Sequence, residues 1–333
     1  MEALLYEKAE SEVKCNLCNH FCKIPESKRG ICGVRENRSG ILHTLVYDKV
    51  ITTNVDPIEK KPLYHFYPGS LSYSIATPGC NFRCRFCQNH HIAQIVQDRG
   101  LIVGEAISPE KIVADAKRSS CRSISYTYTE PTIYFELAYE TSKLAYENNI
   151  KNVFVTNGYM SKDALDMIFP YLDAANVDLK SFSNDFYKKY CGAKLSPVLD
   201  NLIYMKENDL LVEVTTLIIP GLNDSIDELD SITDFIHTKL GAETPWHISR
   251  FHPTYKLNDN SPTDPEFLLR TRERSMKKGL KYVYTGNILS SVGSGTICSG
   301  CSKTIIERDG YRVKQNDIKN GNCSCGCKIY GSV

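Results

Sequence analysis

Cys80, Cys84 and Cys87 fall within the short stretch "GCNFRCRFCQNHH", which begins at Gly79. Three thiols at this spacing are suited to metal chemistry, but a tetrahedral ion takes four ligands. His90 and His91 follow closely and offer one way to close a zinc site, although a CxxxC spacing is unusual for zinc. A four-iron cube held by three thiolates instead leaves one iron without a protein ligand, free to bind a substrate or cofactor. The remaining possibility is that the three are ordinary core cysteines.

The chain has 14 cysteines, and most of the others are also clustered. Cys15, Cys18, Cys22 and Cys32 lie in "CNLCNHFCKIPESKRGIC", with His20 as a spare ligand. Four thiolates close on zinc or on an auxiliary iron–sulfur cluster, and the spacing does not separate the two. A structural zinc staple is the simpler reading, whereas a cluster would relay electrons. Cys298 and Cys301 in "CSGC", with Cys323, Cys325 and Cys327 in "CSCGC", resemble the paired knuckles of a zinc ribbon or rubredoxin. Cys325 precedes Gly326, as knuckle cysteines commonly do. The expected zinc ligands are therefore Cys298, Cys301, Cys323 and Cys325, with Cys327 as the alternate. Cys121 and Cys191 stand alone and read as small buried hydrophobes.

The bulk numbers narrow the context. The chain has 333 residues, 42% of them hydrophobic and 24% charged, with a formal net charge of +1. Near-neutral charge gives no footprint for nucleic acid or an acidic membrane surface. The opening residues include Glu2, Glu7, Lys8 and Glu12, and no apolar run fits a signal peptide or membrane span. A cytoplasmic location is expected. Thiols are kept reduced there, so dense cysteine implies metal binding or catalysis and not disulfides.

The elements that must position these residues alternate. Apolar, β-branched runs occupy 71–79, 123–131, 151–158, 174–181, 211–221 and 245–253, with a possible seventh at 281–287. Helix-like stretches lie between them, several opened by N-cap signals such as Ser108-Pro109-Glu110 and Ser161-Lys162-Asp163. This alternation predicts parallel strands joined by right-handed crossovers, as in a partial or full (β/α) barrel. Chemistry in such barrels sits at the C-terminal strand ends, which here carry Glu130, Asn157, Asp178, Lys180 and His252. Residues 1–70 are expected to form an N-terminal Cys-rich segment, 71–289 the barrel, and 290–333 a zinc-ribbon or rubredoxin-like tail.

The Cys80-x3-Cys84-x2-Cys87 loop, with Phe86 before its last cysteine and a strand before it, resembles the signature of the radical S-adenosylmethionine (SAM) superfamily. The resemblance implies a partial (β/α)6-type TIM barrel, a [4Fe–4S] cluster on these three cysteines, and SAM chelated to the open iron. One electron then cleaves SAM to a 5′-deoxyadenosyl radical that abstracts a substrate hydrogen, which is oxidoreductase or lyase-type chemistry. It also implies cofactor roles for the strand ends. Glu130 in "YTYTEP" would face the SAM amino group, although Tyr128 and Thr129 replace the usual glycines. Asn157 in "VTNGY" would reach a ribose hydroxyl, and Asp178 and Lys180 in "DLKSF" would flank SAM, with Lys180 on its carboxylate. His252 in "RFHP" would face the adenine or the substrate. An ion pair between Asp178 and Lys180 that only stabilises the fold is an equal alternative.

A narrower resemblance covers most of the chain. "CNLCNHFCKIPESKRGICGVREN", "YCGAKLSPVLD", "WHISRFHPTYK" and "YTGN" are similar to the radical SAM enzymes of the AmmeMemoRadiSam system, whose barrels resemble the activating enzymes of glycyl radical enzymes. That family implies Memo-like and Ammecr-like proteins as partners, and an electron donor such as ferredoxin or flavodoxin. The rival readings are an activase that installs a glycyl radical on a partner protein, and a non-enzymatic zinc-binding scaffold.

Overall fold

In the computed structural model of the protein, residues 1–9, 11–288 and 291–333 are described. The expected boundary between barrel and tail, at residues 289 and 290, lies outside the described residues. The chain divides into two compact units. The first comprises Met1–Asp56, Leu71–Ala174 and Tyr190–Ala193, and the second Pro57–Ser70, Ala175–Lys189 and Lys194–Val333.

The first unit is organised by three parallel strands in the order β1 (Leu71–Ala76), β2 (Ser123–Tyr126) and β3 (Lys151–Thr156). Every residue of β2 is buried, as expected for a parallel strand covered on both faces. The crossover helices begin where the sequence signals them. In α1 (Pro109–Arg118), Ser108 Oγ accepts from Lys111 N at 3.4 Å and Pro109 takes the first turn. The helix α2 (Phe135–Glu147) buries Phe135, Leu137 and Ala138. In α3 (Lys162–Ile168), Ser161 Oγ accepts from Ala164 N at 3.3 Å.

The amino-terminal residues of this unit form short antiparallel strands. Tyr6–Lys8, Glu12–Cys15 and Lys23–Pro25 make one sheet, and Arg35–Arg38 pairs with Ile41–Thr44. They are fastened to the residues that follow β3. Asn19 N donates to Tyr159 O at 3.0 Å, Ser161 N to Leu17 O at 3.0 Å, and Asn19 Nδ2 to Met160 O at 2.7 Å. A buried ion pair joins Arg35 to Glu136 at the start of α2, and Glu136 Oε1 also accepts from Leu4 N at 2.8 Å.

The second unit carries β4 (Ala174–Asp178, in this unit from Ala175), β5 (Leu211–Ile218), β6 (Trp246–Arg250) and β7 (Val283–Gly286), in that order. The β5–β6 and β6–β7 pairs are parallel. Its helices are α4 (Ser196–Glu207), α5 (Ile226–Phe235), capped by Ser225, and α6 (Pro265–Lys277), capped by Asp264. Within β5, the buried Glu213 carboxylate accepts from His65 N at 2.7 Å and lies 2.6 Å from Nε2 of His247 in β6. A small antiparallel sheet of Thr296–Ile297, Thr304–Asp309 and Arg312–Asn316 ends the unit. Among the described residues, no helix is long and apolar enough to cross a membrane.

Both partners of the Arg35–Glu136 pair are buried, so removing one leaves an uncompensated charge. The Glu136→Leu variant is expected to lose about 3–5 kcal/mol, and Arg35→Met with Glu136→Leu to recover most of that loss. Anaerobic denaturant unfolding measures both. A single variant as stable as the parent would show that the pair does not fasten the amino-terminal strands.

Candidate functional site

The loop bearing Cys80, Cys84 and Cys87 leaves the C-terminal end of β1, and its backbone is pinned along its length. Gly79 has a φ of +106°, and a Cβ there would come within 3.0 Å of Val34 Cγ1. The turn therefore needs glycine both for its conformation and for its space. Gly79 N donates to Ile92 O at 3.1 Å, Arg83 N to Cys191 O at 2.8 Å, and Arg85 N to Tyr190 O at 2.9 Å. Gln94 Nε2 donates to Phe82 O at 3.1 Å. Phe82 N donates to Cys80 Sγ at 3.4 Å, a contact that strengthens when the sulfur is a thiolate. Burial pushes the Cys80 thiol well up, and the nearby Glu130 charge adds to the effect. A metal ion bound to this sulfur would have to displace the thiol proton.

The ends of β2 and β3 are tied to this loop through one carboxylate. Glu130 Oε1 accepts from Thr132 N at 3.1 Å, Thr132 Oγ1 at 2.6 Å and Thr156 Oγ1 at 2.7 Å. Glu130 Oε2 accepts from Asn157 N at 2.7 Å, and Asn157 Nδ2 donates to Asn81 Oδ1 at 2.7 Å. Burial raises the Glu130 pKa, while these donors act in the opposite direction. The residues expected to touch a cofactor, Glu130 and Asn157, are thus also the links that carry β2 and β3 to the residue beside Cys80.

Tyr128 replaces a glycine usual in the resembled signature, and it keeps a glycine-like backbone with a φ of +61°. Its hydroxyl donates to Asp56, whose Oδ2 also accepts from Ser74 Oγ at 3.0 Å. Thr129 Oγ1 donates to Thr77 O at 2.8 Å. The left-handed turn costs about 1–2 kcal/mol for a residue with a Cβ, and these side-chain bonds hold it in place.

In the second unit, Lys180 Nζ donates to Asp178 Oδ2 at 2.9 Å, so these two expected cofactor residues pair with each other. His252 is exposed, with Nε2 3.4 Å from Asn287 O. The tail draws four sulfurs together: Cys298, Cys301, Cys323 and Cys325 have ligand atoms all within 4.8 Å of one another. Cys298 Sγ lies 3.6 Å from Cys325 Sγ, and Cys301 Sγ 3.7 Å from Cys323 Sγ. Cys327 Sγ faces Ser299 Oγ at 3.7 Å instead. Burial acts upward on the Cys298 thiol, but backbone N–H groups of Cys301 and Gly300 bring it down to about 6. Cys15, Cys18, Cys22 and Cys32 line one pocket in the first unit.

Sequence reading passes over Asn81, Thr132, Thr156 and Asp56. Asn81 is the one with a usable signal, since it adjoins the first thiol of the loop.

Residues 74–236 match the family model described as the Radical SAM superfamily. An uncharacterized protein of Methanocaldococcus jannaschii is 46% identical over 332 residues, covering 98% of each chain. A putative glycyl-radical enzyme activating enzyme of the same organism is 26% identical, over 61% of this chain and 76% of the relative. A 4-hydroxyphenylacetate decarboxylase activating enzyme of Clostridioides difficile is 23% identical, over 47% of this chain and 53% of that relative. Among solved structures, a radical SAM methyltransferase from Sphaerobacter thermophilus superposes with a TM-score of 0.53 at 16% identity, covering 66% of this chain and 67% of that one.

The Glu130 network makes a direct prediction. Glu130→Gln preserves size but turns an accepting oxygen into a donor facing other donors, which is expected to cost about 1–3 kcal/mol. Thr156→Val removes a single bond and should cost about 1 kcal/mol. Thermal unfolding under argon ranks the two, and equal stability of Glu130→Gln and the parent would refute the linking role.

Proposed function

We propose that this chain, whose residues 74–236 match the Radical SAM superfamily model, is a radical SAM enzyme in which Cys80, Cys84 and Cys87 hold a [4Fe–4S] cluster on which SAM is reductively cleaved. The observation that carries the reading is a three-thiol loop at the C-terminal end of β1, inside the segment matching the family model. The local chemistry fits the group. Thiolates are soft ligands suited to iron–sulfur clusters, Phe82 N already donates to Cys80 Sγ, and Thr77 Oγ1 and Asn81 Nδ2 are buried without partners. When bound, the cluster supplies the electron that splits SAM to methionine and a 5′-deoxyadenosyl radical, which takes a hydrogen from the substrate.

The protein's own residues position and bind. Asn157 and Glu130 hold Asn81, and with it the loop, while remaining candidates for the SAM ribose and amino group. In the second unit Lys180 is the candidate for the SAM carboxylate, Asp178 for a cationic group, and His252 for the adenine or substrate. The tail set, Cys298, Cys301, Cys323 and Cys325, is read as a structural zinc site, because a Zn–S bond of about 2.3 Å places sulfurs roughly 3.8 Å apart. That distance is close to the sulfur separations in the tail.

The relatives named as activating enzymes favour a second reading within the same chemistry, in which the hydrogen comes from a partner protein. Memo-like and Ammecr-like proteins are the candidates from sequence resemblance, and ferredoxin or flavodoxin the candidate electron donors.

Anaerobic reconstitution with iron and sulfide, followed by SAM and dithionite, should yield 5′-deoxyadenosine, with Cys84→Ala lowering the yield at least about 100-fold, a loss of roughly 2.7 kcal/mol or more in the barrier. A colourless protein with zinc and no turnover would instead return the scaffold reading. For the tail, Cys325→Ser should lose bound zinc and Cys327→Ser should keep it, as read by metal analysis; the reverse result would exchange the two ligands.

A further inference from the structure

The turn that carries β2 into Glu130 departs from the resembled signature, and the departure has a counterpart elsewhere in the chain. Thr127 N donates to Ile75 O at 3.1 Å, and Thr129 N then turns back to Thr127 O at 2.7 Å. Between them Tyr128 sits in the left-handed region, with a φ of +61°. Glycine adopts that conformation freely, whereas a residue with a Cβ is strained in it. Something outside the turn must therefore hold Tyr128 there.

Other segments of the first unit do so. Asp56 lies in Thr52–Pro57, the strand beside β1, and is 5% exposed. Its Oδ2 accepts from the Tyr128 hydroxyl, and Ser74 Oγ of β1 donates to the same oxygen at 3.0 Å, which fixes the carboxylate in turn. Burial and the bond to Asp56 push the Tyr128 phenol upward, so it keeps its proton and donates. Asn89, two residues beyond Cys87, donates from Nδ2 to Tyr128 O at 2.9 Å, and Thr129 Oγ1 closes on Thr77 O at 2.8 Å. The bond to Asp56 is the strongest of these, because its acceptor is a buried carboxylate. A bond of that kind outweighs the strain of one left-handed residue.

From these contacts we infer that Asp56 is a positioning residue for SAM: by holding the Tyr128 phenol, it sets the turn that presents Glu130 to the SAM amino group. Glu130 follows Tyr128 by two residues. A Tyr128 that relaxed to a negative φ would redirect the chain entering Glu130 and draw its carboxylate away from Thr132, Thr156 and Asn157. Asp56 acts only through the tyrosine, so a glycine at position 128 makes it dispensable. This role rests on the radical SAM reading, in which Glu130 meets that amino group.

The full chain is reconstituted anaerobically with iron and sulfide, and equilibrium dialysis against labelled SAM without reductant measures the affinity. Asp56→Ala and Tyr128→Phe should each weaken SAM binding about 10-fold while keeping the iron content of the parent. Tyr128→Gly should bind within about 3-fold of the parent, and adding Asp56→Ala to it should change the affinity by no more than about 2-fold. A lower melting temperature with unchanged SAM affinity in Asp56→Ala would show a role in stability alone and overturn the inference. So would an undiminished loss when Asp56→Ala is made in the Tyr128→Gly background, because Asp56 would then act by another route. A parent that carries the cluster yet binds no SAM overturns the radical SAM reading and this role with it. Should Asp56→Ala not fold, as judged by circular dichroism, Tyr128→Phe stands in for it, since only the phenol oxygen is removed. An affinity in that variant equal to the parent's likewise overturns the role of Asp56.

Discussion

The geometry of the first unit depends on a short chain of hydrogen bonds that ends beside Cys80. Glu130 gathers donors from Thr132, Thr156 and Asn157, and Asn157 passes the connection to Asn81. Each of these residues is buried, so water offers no substitute and each bond is costly to lose. The constraint acts where regular structure runs out: Thr156 is the last residue of β3, Thr132 lies in the short 3-10 turn Pro131–Tyr134, and Asn81 and Asn157 lie in the loops beyond the strands. The buried carboxylate joins these segments.

The same economy explains why the amino-terminal strands are held where they are. They are too short to bury a core of their own: Tyr6–Lys8 and Lys23–Pro25 have three residues each. Their stability comes from the bonds of Asn19 and Ser161 and from the Arg35–Glu136 pair. Arg35 also ties in the cysteine set, because one nitrogen meets Glu136 and another meets Cys15.

The two cysteine sets at the ends of the chain sit in different local surroundings. In the tail, sulfurs come within 4.8 Å of each other, and backbone N–H groups lower the Cys298 thiol to about 6. In the amino-terminal set, burial pushes the Cys18, Cys22 and Cys32 thiols upward, and the sulfurs stand around a space. Soft thiol side chains are common to both, so the surroundings of the sulfurs, more than their number, distinguish the two sets.

The order of strands and helices was legible in the chain because parallel strands read as apolar runs and helix starts carry their own caps. The runs at 71–79, 151–158 and 211–221 each contain a strand, and Ser108, Ser161 and Ser225 cap helices as their types suggest. The Cys80, Cys84 and Cys87 loop was legible too, since local spacing alone brings three thiols together. Where the runs stop was not. The run at 123–131 becomes strand only to Tyr126, because Tyr128 turns left-handed and is held by Asp56, 72 residues earlier in the chain. The glycine after Cys325 already favoured it over Cys327 for the tail set, as the sulfur positions have it, but nothing in the spacing reveals that Asn81 connects to Glu130 through Asn157. These are distances between segments remote in the chain, and only tertiary packing sets them.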